Sequence, residues 1–509
     1  MLIPNEPLQA VRGGGAPSLM TPQEAIQRVN RMYRILSARA TEARELKSFY
    51  AGHQPLAFAS DEWRKQHQDR YKDFADNWCE VVANSTSERI AVIGFKLPSS
   101  TQSRQSKAEK FLYDSWLRNE QDSLSAQGFL ESIIARRSYA LVWGDAGGEP
   151  IINWKSSEQA MVWYDAETGR RREYGFVVWD DLDRQLEFGT LYTPDWVYKF
   201  SRASVYKGDT GLILPELIFA GGGGWEYREA ESGPNHLGVV PLVEFQNRPI
   251  LGVGPLSDIS GTTAMQNAIN LLWAYLFNAA DYASMPARVV MGQSPPKIPI
   301  LDPTTGEKVG ERPVDEKALT QGRMLWLTGQ NTQVGQWDAA KLDVFTAVIE
   351  QAVGHIAAQT RTPPHYLVAN KGISNISGDA LKAAEVGLVR KADQAAEFFE
   401  PRVRDLFELI ALQLGDDKMA AEARLGVVKW KDRESRSEGQ SADAMQKNKA
   451  AGYPFEYLLE KQGHSPSEIK RIMAMAQAEQ QQAMMVGVSS LINAPIGSPG
   501  GTPPGVSAP

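Results

Sequence analysis

Residues 259–280 read ISGTTAMQNAINLLWAYLFNAA, 22 positions without a charged side chain. A run of about 20 apolar residues is enough to cross a bilayer. This one also carries Ser260, Thr262, Thr263, Gln266, Asn267, Asn270 and Asn278. Each of those groups needs a hydrogen-bond partner once water is removed. The run therefore reads as a soluble helix hidden among other protein helices, from about Leu256 to Tyr282, ending near Pro286. Its candidate packing residues are Ile259, Leu271, Leu272, Trp273, Leu276 and Phe277.

Downstream, SPPKIPILDPTTGEKVGERP (294–313) is Pro-rich. It predicts an irregular or β-rich excursion from about Val289 to Trp337, with short strands at Arg288–Met291 and Arg323–Leu327. A second helix returns from about Ala340 to Thr360, and Thr362-Pro363-Pro364 stops it. VANKGISNISGD (368–379) is polar and glycine-bearing. A long helix then starts near Gly378 and runs through Leu381, Leu388, Ala392, Ala395 and Phe399 toward Leu414. That is about 35 residues or ~50 Å, which suggests a strut, with Pro401 as the candidate kink.

Upstream, Thr21-Pro22-Gln23-Glu24 is a capping box with proline at the first helical position. Ala25, Val29, Met32, Tyr33 and Leu36 follow at helical spacing, and Gly52 closes the helix. Further helices are expected at Tyr71–Thr86 and Lys107–Arg137, the latter broken near Asp122, with a strand at Ile90–Phe95. From Tyr139 to Phe200 the period becomes two, which predicts an antiparallel meander. Its aromatics read as half-buried strand residues, because no Lys/Arg stripe interleaves with them as a base-stacking platform requires. Gly221–Gly224 is a loop, and no Lys-Ser/Thr pair follows to make it a phosphate cradle. Near the end come helices at Ala442–Ala451 and Pro454–Lys461. A second capping box, Ser465-Pro466-Ser467-Glu468, opens another helix. Of the last 15 residues, nine are Pro or Gly, so 495–509 reads as a disordered tail.

The whole chain has 509 residues, enough for several domains. It is 42% hydrophobic and 23% charged, which excludes wholesale disorder. The net charge of −7 excludes a basic protein that coats nucleic acid. It allows one that lets DNA slide past. Cys79 is the single cysteine, so an internal disulfide and a multi-thiolate zinc site are both excluded. MLIPNEPLQAVRGGG lacks the basic and apolar regions of a signal peptide.

Catalytic signatures are missing: no dinucleotide or P-loop glycine pattern, no GxSxG, no HExxH and no EF-hand loop. Asp180-Asp181 and Asp416-Asp417 read as solvated surface among 61 carboxylates. His355 and His365 lack a third ligand at metal spacing, and Cys79 reads as a buried thiol beside Trp78. No cofactor or metal is expected. The fold class is α+β, mainly helical, and the function is scaffold or assembly rather than enzyme.

The order of elements carries a resemblance. Two long helices flank a Pro-rich excursion, and a polar loop and a very long helix follow. LKSFYAGHQPL (46–56), FADNWCEVVANSTSERIAVIGFK (74–96), VPLVEFQNRP (240–249) and GVGPLSDISGTTAMQNAINLLWAYL (252–276) add segments in the same order. Over about residues 22–480 the chain resembles the portal proteins of tailed bacteriophages, in the family of the phage SPP1 portal. The resemblance implies a ring of about twelve subunits at one capsid vertex, with double-stranded DNA passing along its axis. Its partners would be the terminase large subunit, a head-to-tail adaptor, and the major capsid and scaffolding proteins, with no membrane. The location would be the virion, after assembly in the host cytoplasm.

Mapped onto this chain, residues 1–20 form a flexible N-terminus and 21–250 a wing of helices and β layer. Residues 251–288 form the first stem helix, 289–338 the clip and 339–362 the second stem helix. Residues 363–430 return to the wing, with a tunnel loop near 370–377 and the long helix. Residues 431–483 form the crown, and 484–509 a Pro/Gly-rich tail. In the loop, Asn370, Lys371, Ile373, Ser374 and Asn375 are the candidate channel residues. Lys371 either touches passing phosphates or stands as an ordinary solvated lysine. An acidic channel wall would keep DNA from sticking. The alternative is another non-catalytic capsid or tail-adaptor ring protein.

Overall fold

A computed structural model describes residues 19–54, 74–98, 106–204, 224–284, 288–291, 297–313, 333–336, 341–367, 378–434, 438–462, 464 and 466–492. Outside them lie most of the N-terminus, residues 71–73, glycines 221–223, the strand expected at Arg323–Leu327 and the tail 495–509. The loop Asn370–Ser377, with Asn370, Lys371, Ile373, Ser374 and Asn375, lies outside them as well.

The first part of the chain holds α1 (Pro22–Tyr50), α2 (Trp78–Ser87), β1 (Val92–Lys96), α3 (Lys107–Arg118) and α4 (Gln121–Ala135). Strands follow: β2 (Arg137–Gly144), β3 (Pro150–Ser156), β4 (Ala160–Tyr164), β5 (Arg172–Asp181), β6 (Leu186–Tyr192) and β7 (Trp196–Ala203). Next are β8 (Glu226–Tyr227), β9 (Gly233–Pro234), β10 (Leu242–Gln246) and α5 (Thr263–Ser284). The excursion contains β11 (Arg288–Met291), β12 (Lys297–Leu301), β13 (Lys308–Pro313) and β14 (Gln333–Gln336). Then come α6 (Asp343–Thr360), α7 (Pro364–Leu367), α8 (Gly378–Gln413), α9 (Asp417–Ala423) and β15 (Val427–Trp430). The chain closes with α10 (Glu438–Ala450), α11 (Phe455–Lys461) and α12 (Pro466–Ile492). The fold is mixed α+β, with stem-like helices and antiparallel sheets.

Two compact units divide the chain. Unit 1 takes Met1–His53, Asn77–Thr263 and Ala357–Pro509, and unit 2 takes Gln54–Asp76 and Ala264–Ile356. In unit 1 the expected single meander is two sheets. One is six-stranded, in the order β4-β5-β6-β7-β8 with β9 also on β7, and the other is β10-β2-β3. The split falls between β3 and β4, which do not pair, and β10 joins the smaller sheet by pairing Leu242–Gln246 with Arg137–Leu141 across a long sequence gap. Local alternation carries no signal for such a partner.

The six-stranded sheet is covered on both faces. Ala25, Val29, Met32 and Leu36 of α1 pack on Met161, Phe176, Leu191 and Phe200. The opposite face puts Val162, Val177 and Tyr192 against Tyr139 and Leu242 of the smaller sheet. The capping box is present: Thr21 Oγ1 accepts from the Glu24 amide (3.3 Å), and the Thr21 amide donates to Glu24 Oε2 (2.8 Å). Helix α8 supplies a third layer. Phe399 stacks on Phe129 at 5.2 Å, and Phe407 stacks on Phe95 at 4.0 Å. Gly128 lets α4 meet β3, since a Cβ there would stand 2.1 Å from Trp154 Cε3.

Several boundaries move. The Lys107–Arg137 helix breaks at Asn119–Glu120 rather than Asp122, because Glu120 takes φ 54°. Helix α2 begins at Trp78, and residues 74–77 are not helical. The Asp76 and Asn77 groups bond instead to Asn270 and to the Tyr50 carbonyl. Pro401 lies inside α8, which is 36 residues long. Helix α12 runs to Ile492, past residue 484, because AMMVGVSSLI (483–492) contains no proline.

In unit 2, β11 pairs with β14, and β12 with β13, as two separate antiparallel ladders.

Candidate functional site

Helix α5 starts at Thr263, later than the expected Leu256. The backbone ahead of it is engaged elsewhere. The Leu256 amide donates to the Asn247 carbonyl and the Asp258 amide to the Ile133 carbonyl, at 2.9 and 3.0 Å. Those bonds replace the first helical turn. Ile259 is fully buried there, in unit 1 and before the helix.

The polar groups of α5 find partners within unit 2. Gln266 and Asn270, one turn apart, are both fully buried. Gln266 Nε2 donates to Asn270 Oδ1 (3.1 Å) and to the Asp76 carbonyl. Asn270 Oδ1 accepts from the Asp76 amide at 3.0 Å, and its amide nitrogen donates to Gln54 Oε1. Trp273 Nε1 donates to Asp76 Oδ2 at 2.8 Å. Its ring stacks on Phe277 at 5.6 Å, and Phe74 stands edge-on to both. Leu271 is buried, while Leu272, Trp273, Leu276 and Phe277 are half-buried. Tyr275 on α5, and Val344 and Val348 on α6, turn apolar surface outward.

Immediately before α5, unit 1 holds an ionic hub that the sequence reading missed. Asp258 receives Lys391 Nζ and Arg248 Nη2, each at 2.7 Å. Asn247 Nδ2 (2.8 Å) and Thr86 Oγ1 (3.2 Å) donate to the same carboxylate. Burial would raise the Asp258 pKa, but attraction to Lys391 and Arg248 outweighs it and holds the carboxyl below its ordinary range. Lys391 is also pushed down: burial is the largest cause, the charge and hydrogen bond of Asp258 oppose it, and weaker repulsion from Arg248 and Arg361 adds to it. A signal existed in the sequence. Lys391 follows Leu388 by three positions and precedes Ala395 by four, so it stands on the apolar face of α8.

Cys79 is buried, its Sγ 3.7 Å from Thr262 Oγ1, and burial raises the thiol to about 11. It is a poor nucleophile. His355 is exposed, and His365 lies 3.7 Å from Glu385. Asp416 caps α9 by accepting from the Met419 amide. Among the described residues, no group of three or more His, Cys, Asp or Glu is placed to hold a metal. None of their helices is long and apolar enough to cross a membrane.

Comparison with known proteins matches residues 30–482 to the family described as phage portal protein, SPP1 Gp6-like. The portal protein of Mycobacterium phage D29 is 25% identical over 444 residues, covering 83% of each chain. That of Mycobacterium phage L5 is 24% identical over 447 residues, again covering 83% of each. A chain of the virion of a native gene transfer agent particle aligns over 81% of this chain and 90% of its own, with 11% identity and a TM-score of 0.36.

Proposed function

The chain belongs to the SPP1 Gp6-like family of phage portal proteins, and we propose that it forms a ring at one capsid vertex through which double-stranded DNA is packaged and ejected. The observation that carries this reading is the family match across 30–482. The succession of α5, two small β ladders, α6 and α8 fits it. On this reading α5 and α6 are stem helices and β11–β14 belong to the clip. Residues 370–377 form the tunnel loop, α8 the long wing helix, and α10–α12 the crown. The exposed Tyr275, Val344 and Val348 then face neighbouring copies in a heterologous contact that closes into a ring of about twelve.

The role is structural. The clip docks the terminase large subunit during packaging and the head-to-tail adaptor afterwards, and the outer surface meets capsid and scaffolding proteins. The excess of 61 acidic over 54 basic side chains suits a conduit that must not grip phosphate. Electron microscopy of the purified protein tests the reading. A stalked ring with an open axis is the expected particle, and a globular monomer without a hole would sink the proposal.

A further inference from the structure

Helix α7 ends at Leu367 and α8 begins at Gly378. The two helices are tied to each other through the Arg89 guanidinium and through a direct hydrogen bond from Tyr366 to Glu385. Arg89, between α2 and β1, has a side chain only 12% exposed. Its Nη2 donates to the Tyr366 hydroxyl at 2.8 Å and to Glu385 Oε2 at 3.2 Å. Its Nη1 donates to the Arg433 carbonyl at 2.6 Å. The Tyr366 hydroxyl donates in turn to Glu385 Oε1 at 3.3 Å, and His365 Nε2 lies 3.7 Å from that oxygen. Arg433 is itself anchored to Asp393 of α8 at 2.7 Å.

An isolated surface ion pair does little to fix a chain. This one is mostly buried, has several partners and uses the planar fork that lysine lacks. It joins α7, which precedes residues 368–377, to the early part of α8, which follows them. We infer that Arg89 and Glu385 are positioning residues that set the spacing of the two chain ends bordering the channel loop. This rests on the reading of residues 370–377 as that loop.

The test uses full-length R89K and E385Q beside a deletion of 370–377. Hydrogen exchange on the assembled protein and the DNA content of capsids made with each variant are both measured. In R89K and E385Q, amides at 364–367 and 381–385 should exchange about tenfold faster, with β2, β3 and β10 unchanged. Packaged DNA should fall about tenfold while rings still form. Two results overturn the positioning role directly: unchanged exchange with normal packaging, or faster exchange throughout unit 1, which would mark general loosening. Lost packaging in the deletion alone would leave the loop reading standing and remove the positioning role. Normal packaging by the deletion would remove the loop reading and the positioning role with it.

Discussion

The aromatic layer of unit 1 and the β12–β13 and α6 surfaces of unit 2 differ in apolar exposure, although unit 1 also exposes Leu251 and Leu425 (100% and 71%) and unit 2 also buries Ile269, Ala274 and Ile356 (each 0%). In unit 1, Trp116, Phe129, Phe399 and Phe407 are all 0% exposed. Phe129 stacks on Phe399, Phe407 stacks on Phe95 and Trp116, and Phe245 stands edge-on to Phe129. In unit 2, Ile298, Ile300, Leu301 and Val309 of the β12–β13 ladder range from 41% to 69% exposed, and Val344 and Val348 of α6 are 58% and 45% exposed. A two-stranded ladder alone is marginal in water, and apolar surface left in water forfeits about 25 cal/mol per Å² of burial. The aromatic layer of unit 1 is completed by its own chain. The exposed surfaces of unit 2, on the ring reading, are completed by neighbouring copies. Substitutions should therefore act on folding in the first and on assembly in the second.

Phe407→Ala should have the largest effect on folding. It removes a ring held between Phe95 and Trp116 and should cost unit 1 about 3–5 kcal/mol in urea unfolding. A loss below about 1 kcal/mol would mean that this layer is loosely packed.

Asp258→Asn should cost nearly as much, about 3–5 kcal/mol at pH 7, because it leaves Lys391 buried beside Arg248 without its counter-charge. The folded carboxyl pKa lies below the unfolded one, so its stabilising contribution is full above about pH 4 and drains as pH falls through the lower folded value. The gap between variant and parent should narrow on acidification. A pH-independent gap between pH 7 and pH 3 would contradict the hub electrostatics.

Thr21→Ala removes one acceptor from the α1 cap and should cost about 1 kcal/mol. Thermal unfolding checks this. Val344→Asp with Val348→Asp should have the smallest effect on folding, within about 0.5 kcal/mol, yet abolish ring formation in sedimentation. Intact rings from that double variant would erase the contrast between the units.

What the sequence made legible was local. The Thr21 cap, the stop at Pro363-Pro364 and the periodicity of α8 are written in neighbouring residues, and each appears where expected. Less legible was whatever depends on residues far apart in the chain. The pairing of Val92–Lys96 with Val427–Trp430, the placement of β10 beside β2 and the joining of Asp258 to Lys391 all require the folded chain. The late start of α5 has the same origin, since tertiary bonds to Asn247 and Ile133 win over helix propensity. Of the candidate site, the sequence marks Gln266 and Asn270 as groups needing partners and Trp273 only as a packing residue, and Asp76 and Gln54 could not be named from spacing.

The most direct test is the mass of the purified, detergent-free particle by light scattering. The ring reading predicts about twelve times the chain mass of 56.2 kDa, with a single species that persists on dilution. A stable particle of 56.2 kDa would contradict it.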